Sequence, residues 1–336
     1  MNDLNEKGKT PPYKDIVEYY PDGSIRGCHY MADWIKDTST PILNLTHNDL
    51  DGAVAGIVIR NVYPNSVQVP VNYKGGPDYV NAMKCIADKK HYKAIIFSDF
   101  CPDDEMLDAV HKAGKCYLVI DHHQTATVRD NDPYGTYYVK QGKCGALLCY
   151  EYFTKEIGLV SGLENLEWIC EVANDHDLWL RKILPLSDDL NTIMYEYGFD
   201  RFIDKFIDGL PREGLSDDDK EILANHEYEV DQYIAGCVQK DLPHNGHYIE
   251  ADKFNSDINK RMTPMYDWLV MAGTEGVDKG LTKLSFRTRR TDINIGATLK
   301  SIGRGGGGHS AAAGQTIPTD ERDEFILMVG DMLFGK

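Results

Sequence analysis

The sequence predicts an α/β protein: a parallel sheet with helices on both faces, joined by a helical connector to a smaller α/β unit. Three observations predict it. Short apolar runs alternate with helix-forming stretches through the first half of the chain, as strand-helix-strand crossovers require. Three of those runs stop abruptly at acids and imidazoles: 42–45 before His47, Asp49 and Asp51, 94–97 before Asp99, and 118–120 before Asp121, His122 and His123. A second set of apolar runs resumes near residue 248 and leads into a glycine-rich turn. Buried parallel strands read as continuous apolar runs, and ligands of open α/β sheets gather beyond the strands' carboxyl ends. Three strand ends therefore each deliver metal-type ligands.

The elements follow in order. Residues 1–12 are polar, end in Pro11-Pro12 and read as a loose terminus; 13–36 is aromatic-rich, with one short helix over 29–36. After the first strand, 52–59 is small and apolar throughout, as a helix pressed closely on a sheet would be. Then come a strand at 67–71, a helix at 78–90, a strand at 94–97, a helix at 103–113 and a strand at 116–120. Helices are expected at 144–156 and 163–173, the second leading into Asp175, His176 and Asp177. From 188 to 238 charge and helix formers dominate, which reads as a connector. Strands near 248–251, 268–271 and 281–287 and a helix at 293–301 then lead into Gly303-Arg304-Gly305-Gly306-Gly307-Gly308-His309. The expected division is 1–190 for a metal-binding catalytic domain, 191–243 for the connector and 244–336 for a substrate domain.

Composition narrows the function. At 336 residues, 42% of them hydrophobic, the chain suits two globular domains. A formal net charge of -17 argues against wrapping long duplex nucleic acid, so any phosphate site must be a local patch. No apolar run reaches the roughly 18 residues of a membrane span, and the polar amino end lacks the apolar core of a signal peptide. A cytoplasmic protein without membrane partners is expected. Eight cysteines form no C-x-x-C pair, which favours reduced, buried thiols over zinc fingers or a disulfide framework.

His47, Asp49 and Asp51 alternate, so on an extended segment all three project to one side and can converge on metal. Imidazole with carboxylates suits manganese, iron or zinc, while several carboxylates without cysteine favour harder, more highly coordinated ions. A carboxylate shared by two cations would hold them about 3.5–4 Å apart, the spacing that activates water for phosphoryl transfer. Asp99 is the natural bridge. Taken singly, these residues have plainer readings: His47-x-Asp49-x-Asp51 as a surface turn, Asp99 as a cap for the helix at 103, Asp175 and Asp177 as helix-end polar groups, His176 as an outlying or exposed ring. Joint placement at three strand ends argues against coincidence. The glycine run formally matches G-x-G-x-x-G, but it lies too near the carboxyl end for a dinucleotide fold. It reads instead as backbone approaching an anion, beside a basic stretch of Lys279, Lys283, Arg287, Arg289, Arg290, Lys300 and Arg304 opposed by Asp292 alone.

Together these motifs resemble the DHH phosphoesterase superfamily, which includes RecJ-type exonucleases, nano-RNases and manganese pyrophosphatases. Ser285-Phe286-Arg287-Thr288 and Gly306-Gly307-Gly308-His309-Ser310-Ala311-Ala312-Ala313-Gly314 resemble that family's DHHA1 substrate domain, and Asp175-His176-Asp177-Leu178-Trp179 looks most like the nano-RNase branch. The resemblance implies one metal set of His47, Asp49 and Asp99 and another of Asp51, Asp99, His122 and Asp175. It implies that Asp121 orients an imidazole, that His123 meets the scissile phosphate, and that Arg287, His309 and the amides of Gly306, Gly307 and Gly308 hold a terminal phosphate; Arg304, a charge ahead of the glycines that departs from the family's pattern, is expected to join them in binding substrate. Asp177 gives the fourth motif a second carboxylate, so the ligand there is open between it and Asp175, with His176 beside them. The implied activity is hydrolysis of short single-stranded oligonucleotides or dinucleotides to 5′-mononucleotides. Two divalent ions, manganese first with magnesium or cobalt as alternatives, would generate the attacking hydroxide. Cyclic or linear dinucleotide signals and bisphosphorylated nucleotides are alternative substrates; a nucleotide sensor or replication scaffold is the non-enzymatic alternative, and a homodimer is compatible with all of them.

Overall fold

In the computed structural model, residues 17–19, 25–28 and 33–335 are described, apart from 73, 89, 130, 131, 133 and 274–278. The chain divides into two units, Met1–Leu223 and Ala224–Lys336. The short helix expected over 29–36 is described only as α1 (Asp33–Lys36), and residues 1–12 lie outside the described residues. Ahead of α1, β1 (Val17–Tyr19) and β2 (Ile25–Cys28) pair antiparallel.

The first unit is organised by β3 (Ile42–His47), β4 (Val67–Val71), β5 (Ala94–Ser98), β6 (Cys116–Asp121) and β7 (Gly135–Val139), all parallel in the order β4-β3-β5-β6-β7. Between them run α2 (Leu50–Val62), α3 (Pro77–Ala87) and α4 (Asp104–Ala113). β5 and β6 are wholly buried, as their unbroken apolar runs require. Alternate side chains serve opposite faces: Ile42, Ile96 and Ile120 enter the core containing α2, while Leu43, Phe97 and Val119 enter the core containing α3 and α4. β7 was not expected, because its Thr136, Tyr137 and Tyr138 lack the aliphatic run that marks the others. Their high β-propensity was the available signal.

α5 (Gly145–Glu151) passes into a π-helical turn (Tyr152–Ile157), and α6 (Glu167–Asp177) runs four residues beyond its expected end at 173. α7 (Leu186–Tyr197) and α8 (Phe199–Lys205) bury Leu190, Ile193, Met194, Phe202 and Ile203 in the same core as the sheet. That burial carries the first unit past residue 190. The boundary at 223 falls inside α9 (Asp217–Gly236).

The second unit is a six-stranded sheet built from β8 (Gln239–Leu242), β9 (Gly246–Glu250), β10 (Trp268–Ala272), β11 (Leu281–Thr288), β12 (Gly307–Gly308) and β13 (Ala312–Pro318), in the order β12-β13-β11-β10-β9-β8. Among the described residues of this sheet, only β9 and β10 pair in parallel. α10 (Asn255–Met262) contributes Ile258 and Met262 to one small core, while α11 (Ile295–Ile302) and α12 (Arg322–Phe334) share another with Trp268 and Phe286. A 3-10 turn (Thr319–Glu321) leads into α12. Among the described residues no helix is long and apolar enough to cross a membrane.

Candidate metal centre

β3, β5 and β6 end in register, Thr46 beside Ser98 and Ser98 beside Ile120, so whatever follows them arrives together. His47 closes β3, and Asp49 caps α2: its Oδ1 accepts from the Gly52 amide at 3.0 Å while Oδ2 lies 2.6 Å from His47 Nδ1. Helix begins at Leu50, so Asp51 occupies the first turn rather than an extended segment. The alternation expected to put all three residues on one side therefore does not operate. Asp51 faces His122, with Oδ2 3.6 Å from Nε2, and its oxygens accept from the amides of Gly145 and Ala146 at 2.6 and 2.7 Å. Those amides open α5, where the helix dipole favours an anion.

Asp99 stands between these groups. It follows β5 with a left-handed backbone, φ 61°, and its amide donates to the Ile120 carbonyl at 2.8 Å. Only glycine fits beside it, because a Cβ on Gly145 would lie 2.6 Å from the Asp99 Cβ. Asp99 Oδ1 is 3.2 Å from His122 Nε2, and Oδ2 is buried without a hydrogen-bond partner among the described residues. The plainer capping reading fails, since Asp103 caps α4 by accepting from the Met106 amide at 2.9 Å. Asp121 is fully buried; its Oδ1 accepts from the amides of His122 and His123 at 2.8 and 3.3 Å and holds His123 Nδ1 at 2.8 Å.

The fourth motif is resolved by where α6 ends. Residues two apart on a helix point about 200° apart, so with α6 continuing to Asp177 the two carboxylates diverge. Asp177 extends the apolar series 166, 170, 173 and reaches the cluster, its Oδ2 3.6 Å from His122 Nε2. Asp175 faces elsewhere, accepting from the Lys182 and Ile183 amides at 2.7 and 3.1 Å and from Ser187 Oγ at 2.8 Å. Asp175, expected as a ligand, thus engages the backbone of the following loop, and Asp177 is the carboxylate of this motif that lies near His122. His176 pairs with Asp188 at 3.2 Å, outside the cluster. Three overlapping sets of side chains among the described residues could hold cations, His47 with Asp49 and Asp99, Asp51 with His122 and Asp177, and Asp99 with Asp121, His122 and His123, the ligand atoms of each set lying within 4.8 Å of one another.

Electrostatics fit that role. Burial first, and then the charges of Asp51 and Asp49, push Asp99 well above the usual carboxylate range; the same causes push Asp177 up to about 7. Burial lowers His122, whereas hydrogen bonds to Asp49 and Asp121 raise His47 and His123. Crowded carboxylates held protonated, with an orphaned oxygen at the centre, are what a site for cations becomes without them.

Stability without metal should therefore fall as pH rises. Asp177, at about 7, keeps a proton near pH 6 that the unfolded carboxyl, near its ordinary 3.8, has lost. The folded state then binds more protons than the unfolded, so its stability drops as pH climbs through the folded value. Raised His47 and His123 add the same sign; lowered His122 opposes it only as pH falls. Calorimetry on chelator-treated protein should show a lower Tm at pH 8 than at pH 6, a smaller difference in Asp177→Asn, and recovery at pH 8 with manganese. A Tm that rises over that interval without metal would contradict the crowded-carboxylate account.

Residues 247–333 match the DHHA1 domain family. Over 309 residues the chain is 26% identical to Oligoribonuclease NrnB of Bacillus subtilis (strain 168), covering 84% of this chain and 74% of that protein. Both likenesses fit the DHH/DHHA1 superfamily. Its fold is similar to that of the pGpG-specific phosphodiesterase PggH from Vibrio cholerae, with a TM-score of 0.56 at 17% identity, over 86% of this chain and 98% of that one. It is also similar to RecJ from Thermus thermophilus in complex with Mn2+, with a TM-score of 0.53 at 14% identity, over 89% of this chain and 53% of that one.

In the DHHA1 unit, Arg287 lies on β11 opposite Leu269 and Ala312, half-buried, with its guanidinium donating to Ser285 Oγ at 2.7 Å and the Phe286 carbonyl at 2.9 Å. Burial lowers its pKa, and no carboxylate pairs with it among the described residues. The rest of the basic stretch is less available than expected. Arg290 pairs with Asp292, Arg289 lies 3.5 Å from Asp267, and Arg304 pairs with Glu321. Gly307 and Gly308 are a short strand against Gly314 and Ala313, and Gly308, at φ 146°, could not carry a Cβ without meeting the Ala312 carbonyl at 2.6 Å. His309 is exposed, and its carbonyl accepts from the Gly296 amide at 3.1 Å, so the start of α11 is engaged by this loop's own backbone. Gly306 packs on Gln315, leaving no room for a side chain.

Proposed function

We propose that this DHH/DHHA1 protein is a metal-dependent phosphodiesterase hydrolysing short oligonucleotides to 5′-mononucleotides, with two divalent cations, manganese first, as cofactors. The observation that carries the reading is Asp99, buried between two ligand sets with an orphaned oxygen. Bound cations would supply charge neutralisation, acidified water and stabilisation of the phosphoryl oxygens. His47, Asp49 and Asp99 would hold one, and Asp51, His122 and Asp177, with Asp99, the other. Asp121 accepts from His123 Nδ1 and favours the protonated ring, whose Nε2–H would donate to a phosphoryl oxygen. Arg287, already desolvated and with no carboxylate partner among the described residues, suits a second phosphate of the substrate. The activities named for the NrnB and PggH relatives support a substrate of few nucleotides.

Incubation with manganese and oligonucleotides of graded length, cyclic dinucleotides and bisphosphorylated nucleotides, with products identified by mass, tests the substrate class. Rapid release of 5′-mononucleotides from the shortest strands is expected; turnover confined to bisphosphorylated nucleotides would replace this reading. Arg287→Ala separates capture from chemistry. Loss of a charge-assisted bond costs roughly 1.5–3 kcal/mol, or about ten- to a hundredfold in kcat/KM. That loss should appear on a dinucleotide and not on a small activated phosphodiester with no second phosphate. Equal loss on both would move Arg287 to the scissile phosphate or to support of the fold.

A further inference from the structure

The segment leaving α6 holds an aromatic ring in the open, two residues past Asp177. Trp179 is 69% exposed, the highest value for a large apolar side chain among the described residues. Its backbone is left-handed at φ 53°, and so is that of Arg181 at φ 59°. Non-glycine residues persist there only when their surroundings hold them, and the ties are explicit. The Trp179 amide donates to the His176 carbonyl at 3.1 Å and the Leu180 amide to the Asp175 carbonyl at 3.0 Å, while the Asp175 carboxylate gathers the amides of Lys182 and Ile183. The Arg181 guanidinium lies 4.4 Å from the Trp179 ring centroid and donates to both oxygens of Asp188 at 2.7 Å.

A stack that served folding alone would bury the indole. Here one ring face is backed by a neutralised, anchored guanidinium, and the side chain remains mostly open to solvent two residues along the chain from Asp177, whose carboxylate lies 3.6 Å from His122. We propose that Trp179, backed by Arg181, is a stacking platform for the nucleobase of the nucleotide whose phosphate occupies the metal centre, with Asp175 as the residue positioning that loop. The proposal rests on the phosphodiesterase reading above. Every base presents a π-face, so such a platform tolerates sequence and favours the larger purine ring. It also gives the motif's first carboxylate a task that metal ligation does not.

The chain has four tryptophans, and Trp179 dominates the solvent-accessible emission: Trp268 is 1% exposed, and Trp34 and Trp168 are partly buried against the core. Full-length protein in magnesium, which does not quench, should be titrated with adenosine 5′-monophosphate and, separately, ribose 5-phosphate. The nucleotide should quench Trp179 and shield it from acrylamide, and the base-free phosphate should not. Trp179→Phe should remove the signal yet keep most of the affinity by calorimetry. Trp179→Ala should weaken the nucleotide about five- to a hundredfold, leaving ribose 5-phosphate unchanged. Equal binding of the two ligands to wild type, or an unchanged nucleotide affinity in Trp179→Ala, would overturn the platform; so would sedimentation showing that a second copy covers the indole. If neither ligand binds while calorimetric metal uptake is intact, the platform falls and the metal centre stands. Absence of metal uptake would remove both.

Discussion

Asp99→Asn and Asp99→Ala are expected to lose at least ~10²-fold in turnover on every phosphodiester substrate, the scale on which removing an essential electrostatic stabiliser acts. Neither variant should unfold. Asp99 is buried against other carboxylates with one oxygen unpartnered, so the wild-type charge is a liability until cations neutralise it. Removing the charge relieves that repulsion. Asparagine is the cleaner test because it keeps the side chain's shape and tolerates φ 61°, where alanine adds backbone strain. Metal-free Asp99→Asn should melt higher than metal-free wild type at pH 8, and calorimetry should find weakened manganese uptake, since Asp99 belongs to two of the three overlapping ligand sets. Turnover above about a tenth of wild type would remove Asp99 from the centre of the mechanism.

Legibility of the site followed the kind of constraint each residue carries. His47, Asp49, Asp99 and His122 were readable because a strand end is marked in sequence by the stop of an apolar run, and parallel register then brings such ends together. Asp51 was found for an incomplete reason. Two-residue alternation describes extended backbone, whereas helix starts at Leu50 and Asp51 is held by the first amides of α5, nearly a hundred residues away. No local pattern announces that contact. Gly145 is similar: its demand for a missing Cβ comes from Asp99, across the fold. In the DHHA1 unit the basic composition overstated the free charge, because ion pairs to Asp267, Asp292 and Glu321 form only in three dimensions. What composition could not rank, burial does: Arg287 is the desolvated one.

The choice between Asp175 and Asp177 turns on a helix end, the feature sequence fixes least well. It yields the second large effect. Asp177→Asn should lower turnover by ~10²-fold, as loss of an electrostatic stabiliser does, weaken one of two manganese uptakes, and raise the metal-free Tm at pH 8 by removing a carboxyl pushed up to about 7. Asp175→Asn should do the reverse. Its carboxylate accepts from two backbone amides and a hydroxyl, and burial's upward push on its pKa is outweighed by those bonds. An amide group can accept on one side only, so one buried donor loses its partner, at a cost of roughly 1.5–3 kcal/mol for a bond to a charged group. That loss should appear as a lower denaturant midpoint and faster proteolysis between 179 and 184, with both manganese uptakes retained. The series 166, 170, 173 and 177 shares one face of α6, and Asp175 lies opposite it. If Asp175→Asn abolished a metal uptake and Asp177→Asn spared both, α6 would have to end earlier or turn differently, and the second ligand set would be wrong.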